Sequence, residues 1–322
     1  MTSGPAVRPP GSPVPAATAP LSDAVDPAAL RTRGLTRDYG GTGLFDVSLT
    51  VPRGSVYGLV GPNGAGKTTL LSILTGMRGA DRGSIDLAVD RRRVAVCPDV
   101  PEFDGWLTAF EVVDLARALV APRRDGDAVL DALAVAGLGD AADRRVGGFS
   151  RGMIQRLGLA AALVGEPELL FLDEPTSALD PAGRADILSL VAGLRGRATV
   201  IFSSHILADV QRVADCVGIL RAGRMLYQGP TQALIDTYLQ PRWHVRIAGD
   251  TAALAAELTD RPWVSRLTPV PDGLQVEATG LEAGERGIPV AIAAVGARMV
   301  AFEPVAAGLE SAFLALTGKD TR

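Results

Sequence analysis

Short unbroken apolar runs alternate along the chain with longer segments whose apolar positions recur at helical spacing. "SVYGLV" at 55–60, "RRVAVCP" at 92–98, "ELLFLD" at 168–173 and "ATVIFSS" at 198–204 lack the in–out alternation of a half-exposed strand and read as strands buried on both faces. "TTLLSILTGM", "AFEVVDLARALV", "DAVLDALAVAGL" and the segment after "FSRGM" read as helices. "LTRDYG" and "LFDVSLTV" add two short strands around a Gly-rich turn. Strands interleaved with helices predict an α/β fold whose sheet is covered on both faces.

The pattern changes at "QPRW", residues 240–243. From there "WHVRIAG", a helical "TAALAAEL", two strand-like stretches flanking "PDG", an Ala-rich helix and a final "LESAFLAL" predict a small α+β unit. The expected organisation is a Pro/Ala-rich disordered tail at 1–28, a main domain at 29–239 with a helical subdomain at about 101–165, and a C-terminal accessory domain at 240–322.

Charge narrows the partners. Lys and Arg total 32 against 36 Asp and Glu, and the isoelectric point is about 5.4, so no basic excess exists for a phosphate backbone to attract and no nucleic acid is expected. Mean hydropathy is +0.22, yet the apolar run "IPVAIAAVGA" at 288–297 is far shorter than the ~18 residues of a membrane span. The first residues lack the basic start and continuous apolar stretch of a secretory signal. Cys97 and Cys216 belong to no metal-spaced cluster and read as ordinary buried thiols.

Chemistry concentrates at three places. "GPNGAGKTT", which comprises Gly61, Pro62, Asn63, Gly64, Ala65, Gly66, Lys67, Thr68 and Thr69, follows a strand and opens a helix. It satisfies the G-x-x-x-x-G-K-[ST] phosphate-loop pattern. Glycines let successive N–H groups approach phosphate oxygens beside the positive end of the helix dipole. Lys67 adds a point charge, and Thr68 a hydroxyl for Mg2+. Lysine occurs otherwise only at position 319, all other basic side chains except the two histidines being arginine. Binding of a nucleoside triphosphate follows.

The strand "ELLFLDEP" delivers Asp173 and Glu174 to the C-terminal sheet edge, where ligands of such folds bind. Asp173 suits a magnesium ion through its water shell, and Glu174 suits polarising a water in line with the γ-phosphate. His205, just beyond "TVIFSS", is expected at the same edge as a γ-phosphate contact.

In this order, Lys67, "FSRGM", Asp173–Glu174, "SALD" and His205 resemble the ATP-binding subunits of ABC transporters over roughly residues 30–230. The resemblance implies a P-loop NTPase fold of the ABC ATPase type, with ATP and Mg2+ as cofactors. It implies that the turn at Ser150 and Gly152 grips the γ-phosphate held in a second copy's loop, in a head-to-tail pair. Physically, the Ser150 hydroxyl, the N–H groups opening the next helix and a close-approach Gly152 make an anion site. Asp180 looks like the residue communicating across that seam, although a cap for the helix opened by Pro181 explains it equally simply. Tyr39 resembles the aromatic that stacks on adenine.

Two departures stand out. Where the family carries a Gln or Glu that senses metal and water, "VAVCPDVPEF" has Asp99, a shorter side chain that reaches the metal through a bridging water. The signature turn has Phe149, Arg151 and Met153 in place of the commoner "LSGGQ", a variant similar to the "YSKGM" style of efflux ATPases. Phe103, Trp106 and Phe110 either form a groove for a helix of a membrane subunit or fill the helical subdomain's own core. The resemblance thus implies an exporter's ATPase subunit. It would act as a homodimeric pair on an integral membrane permease, peripheral on the cytoplasmic face of the cell membrane. The competing readings are a soluble ABC-type ATPase acting on nucleic acid or ribosomes, and a nucleotide-regulated binding module without turnover.

Overall fold

The computed structural model describes residues 27–123, 126–177, 179–237, 241–305 and 308–317. The expected tail lies outside the described residues except at its end, where the first strand already opens at Ala28. The chain divides into two compact units, residues 1–233 and 234–322.

The first unit runs β1 (Ala28–Asp38), β2 (Gly43–Val47), β3 (Thr50–Pro52), β4 (Val56–Val60), α1 (Lys67–Leu74), β5 (Arg82–Leu87) and β6 (Val94–Cys97). It continues with α2 (Ala109–Val120), α3 (Gly126–Val135), α4 (Arg151–Leu163), β7 (Leu169–Leu172), α5 (Pro181–Gly193), β8 (Thr199–Ser204), α6 (Leu207–Val213), β9 (Cys216–Arg221) and β10 (Arg224–Pro230). Strands β10-β9-β4-β8-β7-β6 form one six-stranded sheet, parallel except for β10. A second, antiparallel sheet is built on β1, which pairs with β2, β3 and β5.

Every residue of β4, β7 and β8 is buried. Because side chains alternate across a strand, each must find apolar cover on both faces. Tyr57, Leu59, Leu169, Phe171 and Ile201 join Leu70, Leu71 and Leu74 of α1 and Leu30, Leu44 and Val51 of the antiparallel sheet in one cluster. On the opposite face a Cβ at Gly58 would lie 2.3 Å from Val210 of α6, so glycine there lets the helix approach the sheet. The phenol of Tyr57 is buried, which pushes its pKa up. Burial likewise raises the thiols of Cys97 and Cys216, to about 12 and about 11, leaving both protonated near neutral pH.

Helices α2, α3 and α4 share a core of Val113, Val129, Leu133 and Leu157. Phe103 and Phe110 pack against this core, whereas Trp106 is 68 % exposed. Helix α2 starts at a capping box in which Thr108 and Glu111 satisfy each other's backbone N–H groups.

Helix α7 (Thr231–Thr237) follows β10, and the second unit further comprises β11 (Arg242–Ala248), α8 (Thr251–Thr259), β12 (Val264–Val270), β13 (Gly273–Ala278), α9 (Leu281–Ala294), β14 (Arg298–Pro304) and α10 (Leu309–Thr317). Its antiparallel sheet has the order β12-β13-β11-β14. Trp243 is buried in its core, stacked on Phe302 at 6.0 Å between ring centroids, and a Cβ at Gly284 would lie only 2.1 Å from the indole. A glycine in α9 is thus what lets helix and tryptophan share one layer.

Truncating Phe171, fully buried in β7, should cost about 3–5 kcal/mol through lost transfer energy and the cavity left behind. Urea unfolding of Phe171→Ala should show a midpoint well below that of Val100→Ala, a truncation at a 60 % exposed position. Equal midpoints would contradict this account of the core.

Candidate functional site

Strands β4, β7 and β8 are neighbours running in one direction, with Val60 opposite Ser204 and Leu172 opposite Phe202. Whatever follows each strand therefore emerges at the same sheet edge. Residues 61–69 follow β4, Asp173 and Glu174 follow β7, and His205 follows β8.

The loop after β4 requires its glycines. A Cβ at Gly61 would lie 2.3 Å from the carbonyl oxygen of Leu220, and Gly66, at φ +104, precedes α1 without any side-chain cap. The first N–H groups of α1 thus have no side-chain acceptor at the helix start, the arrangement that favours an anion. Pro62, Asn63, Gly64 and Thr68 are exposed, Ala65 is buried, and Thr69 is half-buried.

Lys67 is 6 % exposed, and its Nζ donates to the Gly61 carbonyl at 2.8 Å. The same ammonium lies 3.1 Å from Glu174 Oε1. Glu174 Oε2 lies 2.8 Å from Nδ1 of His205. One carboxylate therefore joins the phosphate loop to the end of β8. Glu174 holds a left-handed backbone conformation, φ +46, which is uncommon for a residue with a Cβ and which Asp46, Glu166 and Ala222 share.

Ser203 organises the pair of carboxylates. Its hydroxyl donates to Asp173 Oδ1 at 2.5 Å and accepts from the Glu174 N–H at 2.9 Å. Sequence reasoning missed this residue, although a polar pair, Ser203 and Ser204, closing a buried strand after the apolar run 200–202 was a visible signal. It also missed Asp209, 3 % exposed, which accepts from Thr176 Oγ1 at 2.8 Å and pairs with Arg184 at 2.7 Å. That contact pins the loop following Glu174 to α6.

Asp173 keeps a second carboxylate oxygen beyond its bond to Ser203, and Thr68 presents an exposed hydroxyl at the start of α1. Two hard oxygen donors beside a phosphate loop suit Mg2+, an ion that takes few protein ligands and completes its shell with phosphate and water. Asp99 has a different partner, accepting from Ser177 Oγ at 2.7 Å.

Ser150 caps α4, its Oγ accepting from the Met153 N–H at 3.3 Å. A Cβ at Gly152 would lie 2.9 Å from Leu179 of the "SALD" segment. Among the described residues no hydrogen bond or ion pair joins Ser150 or Gly152 to Lys67, Asp173, Glu174 or His205. Asp180 caps α5, accepting from the Gly183 N–H at 2.9 Å, with Pro181 at the first helical position.

Tyr39 follows β1 and is 44 % exposed, with the Arg37 guanidinium 5.1 Å from its ring centroid. Its phenol accepts from Arg78 at 3.2 Å, and that bond, more than the one to Arg37, lowers its pKa.

The family described as "ABC transporter" matches residues 44–177. The uncharacterized ABC transporter ATP-binding protein YxlF of Bacillus subtilis (strain 168) is 38% identical over 228 residues, covering 69% of this chain and 76% of that protein. Nod factor export ATP-binding protein I of Burkholderia orbicola (strain AU 1054) is 34% identical over 254 residues, 72% of this chain and 81% of that protein. A solved structure of an ATP binding subunit of an ABC transporter superposes with a TM-score of 0.59 at 28% identity, covering 65% of this chain and 93% of that one. On its phosphate loop, its sheet-edge carboxylates and these similarities, the chain belongs to the ATP-binding proteins of ABC transporters and is an ATPase with their P-loop NTPase fold.

Proposed function

We propose that the chain is the ATPase subunit of an ABC exporter, working as a head-to-tail pair in which each ATP lies between the phosphate loop of one copy and the Ser150 turn of the other. The observation that carries this reading is the separation of the two anion-binding elements within one chain. Lys67, Glu174 and His205 form one connected group, while Ser150 and Gly152 make no polar contact with it among the described residues. An anion site at a helix start has a use only when something brings a phosphate to it.

In the assembled site the loop amides and Lys67 would hold the phosphates, and Thr68 and Asp173 would hold Mg2+, which would supply neutralisation of phosphate charge. Glu174 orients the attacking water, and His205 fixes the carboxylate and faces the γ-phosphate. Tyr39 stacks on adenine with the face that Arg37 leaves open. Asp180, besides capping α5, lies on the segment that packs against Gly152 and so faces the seam.

Among the described residues no helix is long and apolar enough to cross a membrane. In this reading transport works through a separate integral membrane permease, as the family resemblance implies, with this chain on its cytoplasmic side. Exposed Trp106 and the groove lined by Phe103, Pro101, Ala116 and Val120 offer that permease an apolar seat. The exporter reading follows from the kinship with the Nod factor export protein and from the efflux-style signature turn. The C-terminal unit carries no catalytic constellation in this reading and serves regulation or subunit contact. The alternative of a soluble ATPase directed at nucleic acid or ribosomes draws no support from the relatives.

Glu174→Gln should bind ATP normally and hydrolyse it on the order of 100-fold or more slowly, since it removes the base but no phosphate contact. Size-exclusion chromatography of this variant in ATP and Mg2+ should show a stable dimer. A monomer with ATP demonstrably bound would contradict the shared site. Ser150→Arg should abolish hydrolysis while leaving the affinity of the monomer for ATP within about twofold, because bulk and charge then occupy only the seam. Equal loss of binding and hydrolysis, measured by nucleotide titration and phosphate release, would show that the turn serves its own chain's loop.

A further inference from the structure

The Asp99–Ser177 hydrogen bond joins two segments that the proposed mechanism leaves unconnected. Asp99 follows β6, and two residues on Pro101 lines the groove that also holds Phe103. Ser177 belongs to the loop that starts at Glu174, and its backbone N–H donates to the Glu174 carbonyl at 3.1 Å. Two residues further, Leu179 packs on Gly152 of the signature turn. The Asp99–Ser177 contact also borders a cavity of about 320 Å³ whose other walls include Phe149, Arg151 and Gln155.

The loop after Glu174 is held on two sides by hydroxyl–carboxylate bonds of unlike character. Thr176 bonds Asp209 at 2.8 Å with both side chains about 3 % exposed, so that contact has no water to exchange with. Ser177 bonds Asp99 at 2.7 Å with both residues exposed, so water replaces either partner at little cost. One side is an anchor shielded from water and the other a solvent-exposed latch.

We infer that Asp99 is a positioning residue that acts through Ser177, holding the Glu174 turn and the "SALD" segment in register with the groove, rather than a ligand of the metal. When Asp99 and Ser177 are bonded, displacement of residues 99–103 moves Ser177. Through its own N–H it also moves the turn whose first residue carries the carboxylate. The left-handed backbone of Glu174 makes that turn sensitive, because only a narrow range of φ and ψ keeps the carboxylate between Lys67 and His205. This inference rests on the roles proposed for Glu174 and for the signature turn.

The test combines a mutant cycle with hydrogen exchange. Asp99→Ala and Ser177→Ala should each lower kcat roughly 3- to 10-fold, leaving KM for ATP and the Mg2+ concentration for half-maximal rate unchanged. The double variant should be no worse than either single one, since both remove the same bond. Asp99→Asn should retain most of the rate, because its amide oxygen accepts from the same hydroxyl. In the nucleotide-free chain, peptides covering 174–182 should exchange faster in Asp99→Ala and Ser177→Ala, with Asp99→Asn close to the parent. An Asp99→Asn variant as impaired as Asp99→Ala, with a raised Mg2+ requirement, would make Asp99 a metal ligand and overturn the inference. Additive effects in the double variant, or exchange unchanged in both alanine variants, would overturn it equally. Because exchange is read on the nucleotide-free chain, loss of the latch is distinguishable from failure of the shared-site reading, which the Glu174→Gln dimer tests separately.

Discussion

The carboxylate of Glu174, held between the Lys67 ammonium at 3.1 Å and the His205 imidazole at 2.8 Å, is the contact on which the rest of the site depends. It joins the ends of three different strands, and it exists only because β4, β7 and β8 run parallel and adjacent. Parallel strands need long crossovers and cover on both faces, which accounts for α1, α4, α5 and α6 and for strands with no exposed residue. Ser203 then sets the carboxylate geometry by bonding Asp173 and the Glu174 N–H at once. The core cluster beneath the loop is therefore part of the chemistry, since it holds the strand ends in register.

Strand direction explains what the sequence made legible. Apolar runs ending in "GPNGAGKTT", "DEP" and "SSH" identify three strand ends, and the topology of a parallel sheet brings those ends together without any knowledge of long-range contacts. In the C-terminal unit β11 and β13 alternate buried and partly buried positions, unlike the unbroken buried strands of the first unit. Strands β5, β9, β10 and β14 were not anticipated. β5 and β14 are largely exposed and have no clean period, so local pattern carries little information there. β9 is an apolar run like the others, but its neighbour β10 pairs through the Ala222–Gly223 turn in a mixed sequence, and neither was separated from the helices around them.

Side-chain partners were less legible than side-chain positions. Ser203, Asp209 and Thr176 are polar groups in apolar surroundings, and sequence shows the mismatch without showing what resolves it. Asp99 illustrates the same limit, because its shortness relative to Gln or Glu was visible whereas its bond to Ser177, far along the chain, depends on two loops meeting. Asp180 and Ser150 both cap helices, so the structure gives each a local role besides the one proposed for it. Between Glu174 and Asp180 lie one buried anchor at Thr176, one exposed bond at Ser177 and one packing contact from Leu179 to Gly152.

The most direct test of the shared site is a crystal structure of the Glu174→Gln chain grown with ATP and Mg2+. The account predicts two copies related head to tail, with each γ-phosphate between Lys67 of one copy and the Ser150 hydroxyl and the Gly152 backbone N–H of the other. ATP bound at Lys67 with Ser150 of the same chain closed over it, or with no second chain at the γ-phosphate, would contradict the account.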